Sequence, residues 1–140
     1  MKRHYVIASH STFSAGMAKA LRFFAGDELD LVVLTAYVDN KPIDEQIKKI
    51  FDKIPDEDEV IVLTDLMGGS VNQKFFPYVY RQHTQIITGM NLSLALAIVM
   101  EPANDYLSAE RVRAIVDEAR DQLTYVNDVA SQMSGDDDDE

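Results

Sequence analysis

A chain of 140 residues, 46% hydrophobic and 26% charged, has the size and composition of one soluble globular domain. It contains no cysteine, which excludes disulfides, thiolate metal sites and a cysteine nucleophile. Of a net charge of −11, five negative charges lie in the closing DDDDE of residues 136–140; the six left on the body exclude the basic footprint that nucleic acid requires and suit a partner with a basic face.

In chain order, residues 4–9 (HYVIAS) form a compact apolar run, as a buried strand would. The run is too short for a signal peptide or a membrane span, so a cytoplasmic chain is expected. Phe13, Met17, Leu21 and Phe24 follow at helical spacing, and Gly26 with Asp27 closes that helix. Residues 31–35 (LVVLT) read as a second strand. Pro42 is placed to open a helix whose apolar stripe is Ile43, Ile47, Ile50, Phe51 and Ile54, ended by Pro55 and the DEDE cluster. Residues 60–64 (VIVLT) read as the third strand. The Gly68-Gly69-Ser70 turn then opens a helix with Ser70 as N-cap, which Pro77 should kink or end near Phe76. Residues 84–88 (TQIIT) make a shorter fourth strand. Leu92 to Met100, apolar nearly all round, reads as a buried helix. The last long helix runs from Ser108 to about Leu123, with Val112, Ile115 and Ala119 inward. Residues 124–126 (TYV) are a candidate short final strand, and the domain is expected to span residues 1–130. Like-charge repulsion makes residues 131–140 an acidic, disordered tail.

Continuous apolar strands alternating with amphipathic helices predict an α/β fold: a single doubly wound domain, its mainly parallel sheet covered by helices on both faces. The economical strand order is 2-1-3-4. It places the first and third strands side by side, with the topological switch point, where open α/β sheets bind ligands, between their C-terminal tips. His10 stands at the tip of the first strand and Asp65, in TDLMGGS, at the tip of the third. Adjacent strands lie roughly 4.8 Å apart, so these two side chains can meet. A carboxylate that accepts one ring N–H fixes the tautomer, leaving the other nitrogen a lone pair for attack on an electrophile. Ser11 and Thr12 begin one helix at this crevice, and Gly68, Gly69 and Ser70 begin another. Both offer unpaired amides and a positive helix end to a phosphoryl group. A nucleophile, an orienting carboxylate and an anion cradle fit phosphoryl transfer through histidine.

Taken singly, these features have plainer readings: a capping histidine, a turn aspartate, a tight Gly-Gly-Ser turn. A metal on His10 and Asp65 would need a third ligand, and none is evident, so neither metal nor cofactor is expected. His4 and His83 are expected at the surface. A receiver domain of a two-component system would need an acidic pair where Ser9, His10 and Ser11 stand. A serine hydrolase would need a G-x-S-x-G elbow. An anion-binding regulatory module stays open as an alternative.

Two anchors, HSTFSAGM after the first strand and TDLMGGS after the third, carry a likeness over about residues 1–125. The chain resembles the IIA component of the mannose/fructose/sorbose class of the bacterial phosphoenolpyruvate-dependent sugar phosphotransferase system. The resemblance implies a phosphocarrier whose histidine, here His10, takes a phosphoryl group from phospho-HPr and passes it to a histidine of a IIB component. It implies that Asp65 hydrogen-bonds that histidine and that Gly68, Gly69 and Ser70 help hold the phosphoryl group. It also implies a homodimer that exchanges a C-terminal strand, which would give residues 124–126 a purpose. The protein would work in the cytoplasm, associating peripherally with a membrane transporter, with IIB a separate chain. Val71 stands where the family often has proline, and Met67 where an aromatic is common, departures that bear on sugar specificity and partner contact rather than on the chemistry. The phosphotransfer subunit of dihydroxyacetone kinase is a related alternative; TDLMGGS favours the sugar-transport branch.

Overall fold

The structure is a computed structural model and describes residues 1–138. Four strands, β1 (Arg3–His10), β2 (Leu31–Ala36), β3 (Glu59–Thr64) and β4 (Thr84–Ile87), form one parallel sheet in the order β2-β1-β3-β4. This is the predicted order, and the fold is a single doubly wound α/β domain. Register follows from burial. Val6 of β1 lies between Val32 of β2 and Val62 of β3, and Val62 lies beside Ile86 of β4.

Side chains alternate across a strand, so each strand feeds two cores. On one face Ile7, Ile61 and Leu63 pack with Ala18 and Leu21 of α1 (Phe13–Ala25), Leu94, Ala95 and Ile98 of α4 (Leu92–Met100), and Val112, Ile115 and Ala119 of α5 (Ala109–Asp121). On the other face Val6, Ala8, Val60 and Val62 meet Ile43, Ile47 and Phe51 of α2 (Ile43–Asp52) and Val71 and Phe75 of α3 (Ser70–Phe75). All six residues of β3 are buried. A strand covered on both faces cannot alternate apolar with polar, which is why these runs read as continuously apolar. Pro77 ends α3 as expected: the chain tightens into a 3-10 turn, Phe76–Tyr80. Tyr78 of that turn stacks on Phe51, ring centroids 4.0 Å apart. α4 is only partly sunk: Leu94, Ala95 and Ile98 are buried, but Met100 is exposed.

One polar device inside the fold carries no periodic signal in the sequence. Arg3 and Glu59, on the first residues of β1 and β3, form a buried ion pair. The Arg3 guanidinium also donates to the carbonyls of Glu101 (3.1 Å) and Asp105 (2.8 Å), and Glu59 accepts the Leu107 amide at 2.7 Å. The pair thus ties the α4–α5 connection to the N-terminal end of the sheet, opposite the strand tips. Those carbonyls and that amide satisfy the lone pairs and protons a buried pair would otherwise leave unmatched.

The C-terminal segment differs from expectation. Residues 124–126 are not a strand. The Thr124 hydroxyl donates to the Asp121 carbonyl at 3.0 Å, and α6 (Val126–Asp138) begins directly afterwards. Val126, Val129 and Met133 recur at helical spacing, and a helix satisfies its backbone internally where a three-residue strand needs a neighbour. Residues 131–138, expected as a structureless tail, continue α6, and residues 139–140 of that tail lie outside the described residues.

Candidate functional site

The central strands end side by side, and their tips carry the two residues that the sequence singles out. His10 is the last residue of β1, with Ala36 of β2 opposite it; Asp65 immediately follows β3. Asp65 Oδ2 accepts both the His10 backbone N–H and the His10 ring Nδ1–H, each at 2.8 Å. Asp65 Oδ1 accepts the Leu66 amide at 3.0 Å. Burial alone would raise the Asp65 pKa, but the hydrogen bonds from the His10 amide and ring outweigh it and hold the carboxyl below its ordinary value. An ionised carboxylate is an acceptor only, so Nδ1 carries a proton, and in the neutral ring the lone pair lies on Nε2. The His10 side chain is 38% exposed while that of Asp65 is only 11% exposed, so the ring reaches the surface and the carboxylate beside it is sheltered.

The Gly-Gly-Ser turn closes the other side. Gly69 N–H bonds the Leu66 carbonyl at 3.1 Å, and Gly69, not Ser70, is the N-cap of α3. A Cβ on Gly69 would sit 2.9 Å from His10 Cε1, so only glycine lets the turn lie this close to the ring. Because Ser70 is the first helical residue rather than the cap, its side chain is free for the site: Ser70 Oγ lies 3.3 Å from His10 Nε2. Gln73 makes the first internal bond of α3, to the Gly69 carbonyl, so the amides of Ser70 and Val71 precede it.

Other expected members sit differently. Ser11, Thr12 and Gly68 are exposed beside the pair. The Ser11 amide, expected in the anion cradle, donates instead to the Ala36 carbonyl at 2.8 Å, because Ser11 turns through the left-handed region (φ 55°) to leave the strand. His4 and His83, expected at the surface, are half-buried at the N-terminal end of the sheet. His4 Nε2 lies 2.9 Å from Asp58 Oδ2, and His83 stacks on Tyr106 at 3.7 Å.

Three residues that sequence reading missed support the site. Buried Ser9 accepts the Ser14 amide at 2.7 Å and so caps α1, whose N-cap Thr12 makes no side-chain bond. The Ser9-to-Ser14 spacing across a strand–helix junction was the available signal. Asn72 accepts from Thr64 Oγ1 (2.9 Å) and donates to the Met67 carbonyl (3.3 Å), bracing the loop between β3 and α3. Tyr37, the residue after β2, places its hydroxyl 2.6 Å from Ser70 Oγ. Its φ of 68° is a strained conformation for a bulky residue, costing about 1–3 kcal/mol. Phe13, Leu66 and Met67, all more than half exposed, flank the pair with apolar surface.

Among the described residues no helix is long and apolar enough to cross a membrane. The model of the family described as "PTS system fructose IIA component" matches residues 4–118. Among solved structures, the chain is similar to a provisionally named phosphoenolpyruvate-dependent sugar phosphotransferase system permease from Klebsiella pneumoniae subsp. pneumoniae MGH 78578. Identity is 30% over 93% of this chain and 95% of that one, with a TM-score of 0.86. It is also similar to the PTS IIA protein associated with the fucose utilization operon of Streptococcus pneumoniae, at 27% identity over 93% and 97% of the two chains and a TM-score of 0.76. The mannose/sorbose specific IIA subunit from Enterococcus faecalis shares the fold at 16% identity, over 89% and 95% of the two chains, with a TM-score of 0.75. No relative was found among curated proteins.

Proposed function

The chain belongs to the fructose/mannose-type IIA component family of the phosphotransferase system, and from that premise we propose that it is a histidine phosphocarrier. It takes a phosphoryl group from phospho-HPr onto His10 Nε2 and passes it to a IIB component during sugar uptake. The observation that carries this reading is the geometry of one ring: Nδ1 held at 2.8 Å by Asp65, Nε2 3.3 Å from Ser70 Oγ, and a side chain 38% exposed.

The proposed step uses that geometry. The His10 Nε2 lone pair attacks phosphorus as the P–N bond of the donor phosphohistidine breaks, and the donor ring leaves with that electron pair. His10 keeps its Nδ1 proton, so the phosphorylated ring is cationic, and the Asp65 carboxylate offsets the charge as it develops. Ser70 Oγ and the first amides of α3 meet the phosphoryl oxygens, with Gly68 and Gly69 giving the turn its close approach and Ser11 and Thr12 lying on the opposite rim. Transfer to the IIB histidine reverses the step with a new acceptor nitrogen. Phe13, Leu66 and Met67 supply an apolar docking collar around an exposed ring, as macromolecular donors and acceptors need. The protein acts in the cytoplasm and meets the membrane only through its transporter partner. It pairs as a homodimer, for which the exposed apolar residues Leu123, Tyr125, Val126 and Met133 provide surface.

Incubation with phosphoenolpyruvate, enzyme I and HPr tests the reading. One acid-labile, base-stable phosphate per chain is expected, absent from His10→Ala, and it should discharge on addition of a IIB component. No uptake by the wild-type chain, as for a module that only binds anions, would refute it. So would undiminished uptake by His10→Ala.

A further inference from the structure

Tyr37 is a strained aromatic at the strand tips, and burial does not account for its conformation. It follows Ala36, the neighbour of His10 across β1 and β2, and so stands on the side of the ring opposite Asp65. Tyr37 is 57% exposed, which gives little reward for burial. Yet its backbone adopts φ 68°, which brings the phenol over the strand tips, its ring centroid 5.6 Å from that of His10. The phenol oxygen ends 2.6 Å from Ser70 Oγ, and Ser70 Oγ is 3.3 Å from His10 Nε2.

The direction of this chain of hydrogen bonds is dictated by its far end. Asp65 can only accept, so Nδ1 donates, and in the neutral ring, the form that accepts a phosphoryl group, Nε2 presents a lone pair. Ser70 has one proton. Aimed at Tyr37, it would leave an oxygen lone pair facing the Nε2 lone pair, which repels. Ser70 therefore donates to Nε2, and its oxygen accepts the proton of Tyr37. We infer that Tyr37 is a positioning residue: its hydroxyl holds the Ser70 proton on the Nε2 side, where a phosphoryl group bound to His10 receives it. On phosphorylation the Ser70 proton swings from the nitrogen to a phosphoryl oxygen by rotation about Cβ–Oγ. Tyr37 keeps donating to Oγ throughout, and no proton changes owner. A hydrogen bond to an anionic phosphoryl oxygen is stronger than one to neutral nitrogen, so the effect is largest in the phosphorylated and transferring states.

The second half of this inference rests on the phosphocarrier reading; the first half does not. The experiment compares Tyr37→Phe, Ser70→Ala and the double variant by two measurements. The first is the 15N resonance of His10 Nε2 in the resting protein. Tyr37→Phe and Ser70→Ala should each shift it, and Tyr37→Phe should shift it no further once Ser70 is alanine. The second is phosphoryl transfer from phospho-HPr. Tyr37→Phe should lower kcat about tenfold with KM nearly unchanged, and should cause no additional loss in the Ser70→Ala background. An unmoved Nε2 resonance in Tyr37→Phe would overturn the proposal. So would a raised KM at constant kcat, which marks docking, or an equal loss with and without the Ser70 hydroxyl. A wild-type chain that accepts no phosphoryl group would end the phosphocarrier reading, while the resonance would still decide whether Tyr37 aims Ser70.

Discussion

Gly69→Ala separates the geometry of the site from the stability of the fold. Gly69 has φ −78° and ψ 153°, which alanine adopts without strain, so the backbone has no objection to a side chain. The objection comes from the new methyl group: 2.9 Å from His10 Cε1, 3.2 Å from Leu66 Cβ and 3.3 Å from the Leu66 carbonyl oxygen. Carbon atoms prefer separations of about 3.5–4.0 Å, so something must yield by roughly 0.6 Å or more. Leu66 Cβ and its carbonyl are tied to the turn through the Gly69 amide, whereas the half-exposed ring can swing outward. A ring that swings this far stretches its 2.8 Å bond to Asp65 toward about 3.4 Å, past the ordinary range of about 2.7–3.2 Å, and misaims Nε2. Misplacement on the order of 1 Å costs about 100-fold in rate. The folding penalty is small by comparison. A residual clash of about 1–3 kcal/mol is partly offset by about 0.4–1 kcal/mol from the lower entropy of the unfolded alanine chain. Stopped phosphorylation by phospho-HPr and a thermal melt read the two effects separately. The expected result is a rate down about 100-fold with Tm lowered by at most about 8 °C. Wild-type rates in the alanine variant would show that the ring is not held against the turn, and the argument for a glycine there would fail.

Asp65→Asn keeps the size of the side chain but sets an NH2 group or a neutral oxygen against Nδ1, and it cannot offset the charge on a phosphorylated ring. Transfer should fall by about 100-fold or more with the melt little changed, and an unchanged rate would remove Asp65 from the mechanism. Acid stability follows from carboxyls whose pKa values lie below their ordinary ones: Asp65, through the His10 bonds that outweigh burial; Asp58, through His4 and the Lys2 amide; and Glu101, through Arg111. A depressed folded pKa contributes stability above the unfolded value and loses it as pH falls through the folded one. Stability from these groups should therefore hold at neutral pH and decline from about pH 4 downward, and denaturant midpoints from pH 7 to pH 2 check the sign. Arg3→Met strands a buried Glu59 carboxylate and should destabilise by about 3–5 kcal/mol in urea titration. Adding Glu59→Leu should recover most of that loss, and a double variant as unstable as the single would show that the penalty is not the unpaired charge.

Much of this protein is legible in its sequence. The strands are continuous apolar runs because both faces of the sheet are covered, and the helices show their inward faces through the 3.6-residue period. Both are local properties of the chain. Strand order followed from the economy of right-handed crossovers, and the order alone brought His10 within reach of Asp65 across 55 positions of sequence. What the sequence left undetermined is the direction in which each side chain and each helix end turns. Ser70 reads as a cap until the turn makes Gly69 the cap and frees the hydroxyl for His10. Tyr37 reads as a loop residue until its positive φ brings the phenol to Ser70. Arg3 and Glu59 look like ordinary charged strand starts until two adjacent strands bury them together. The TYV segment has strand-like residues, yet it leads directly into α6. Such choices depend on groups distant in sequence and are made by close packing and by the need to satisfy every buried polar atom, conditions that exist only once the chain is folded.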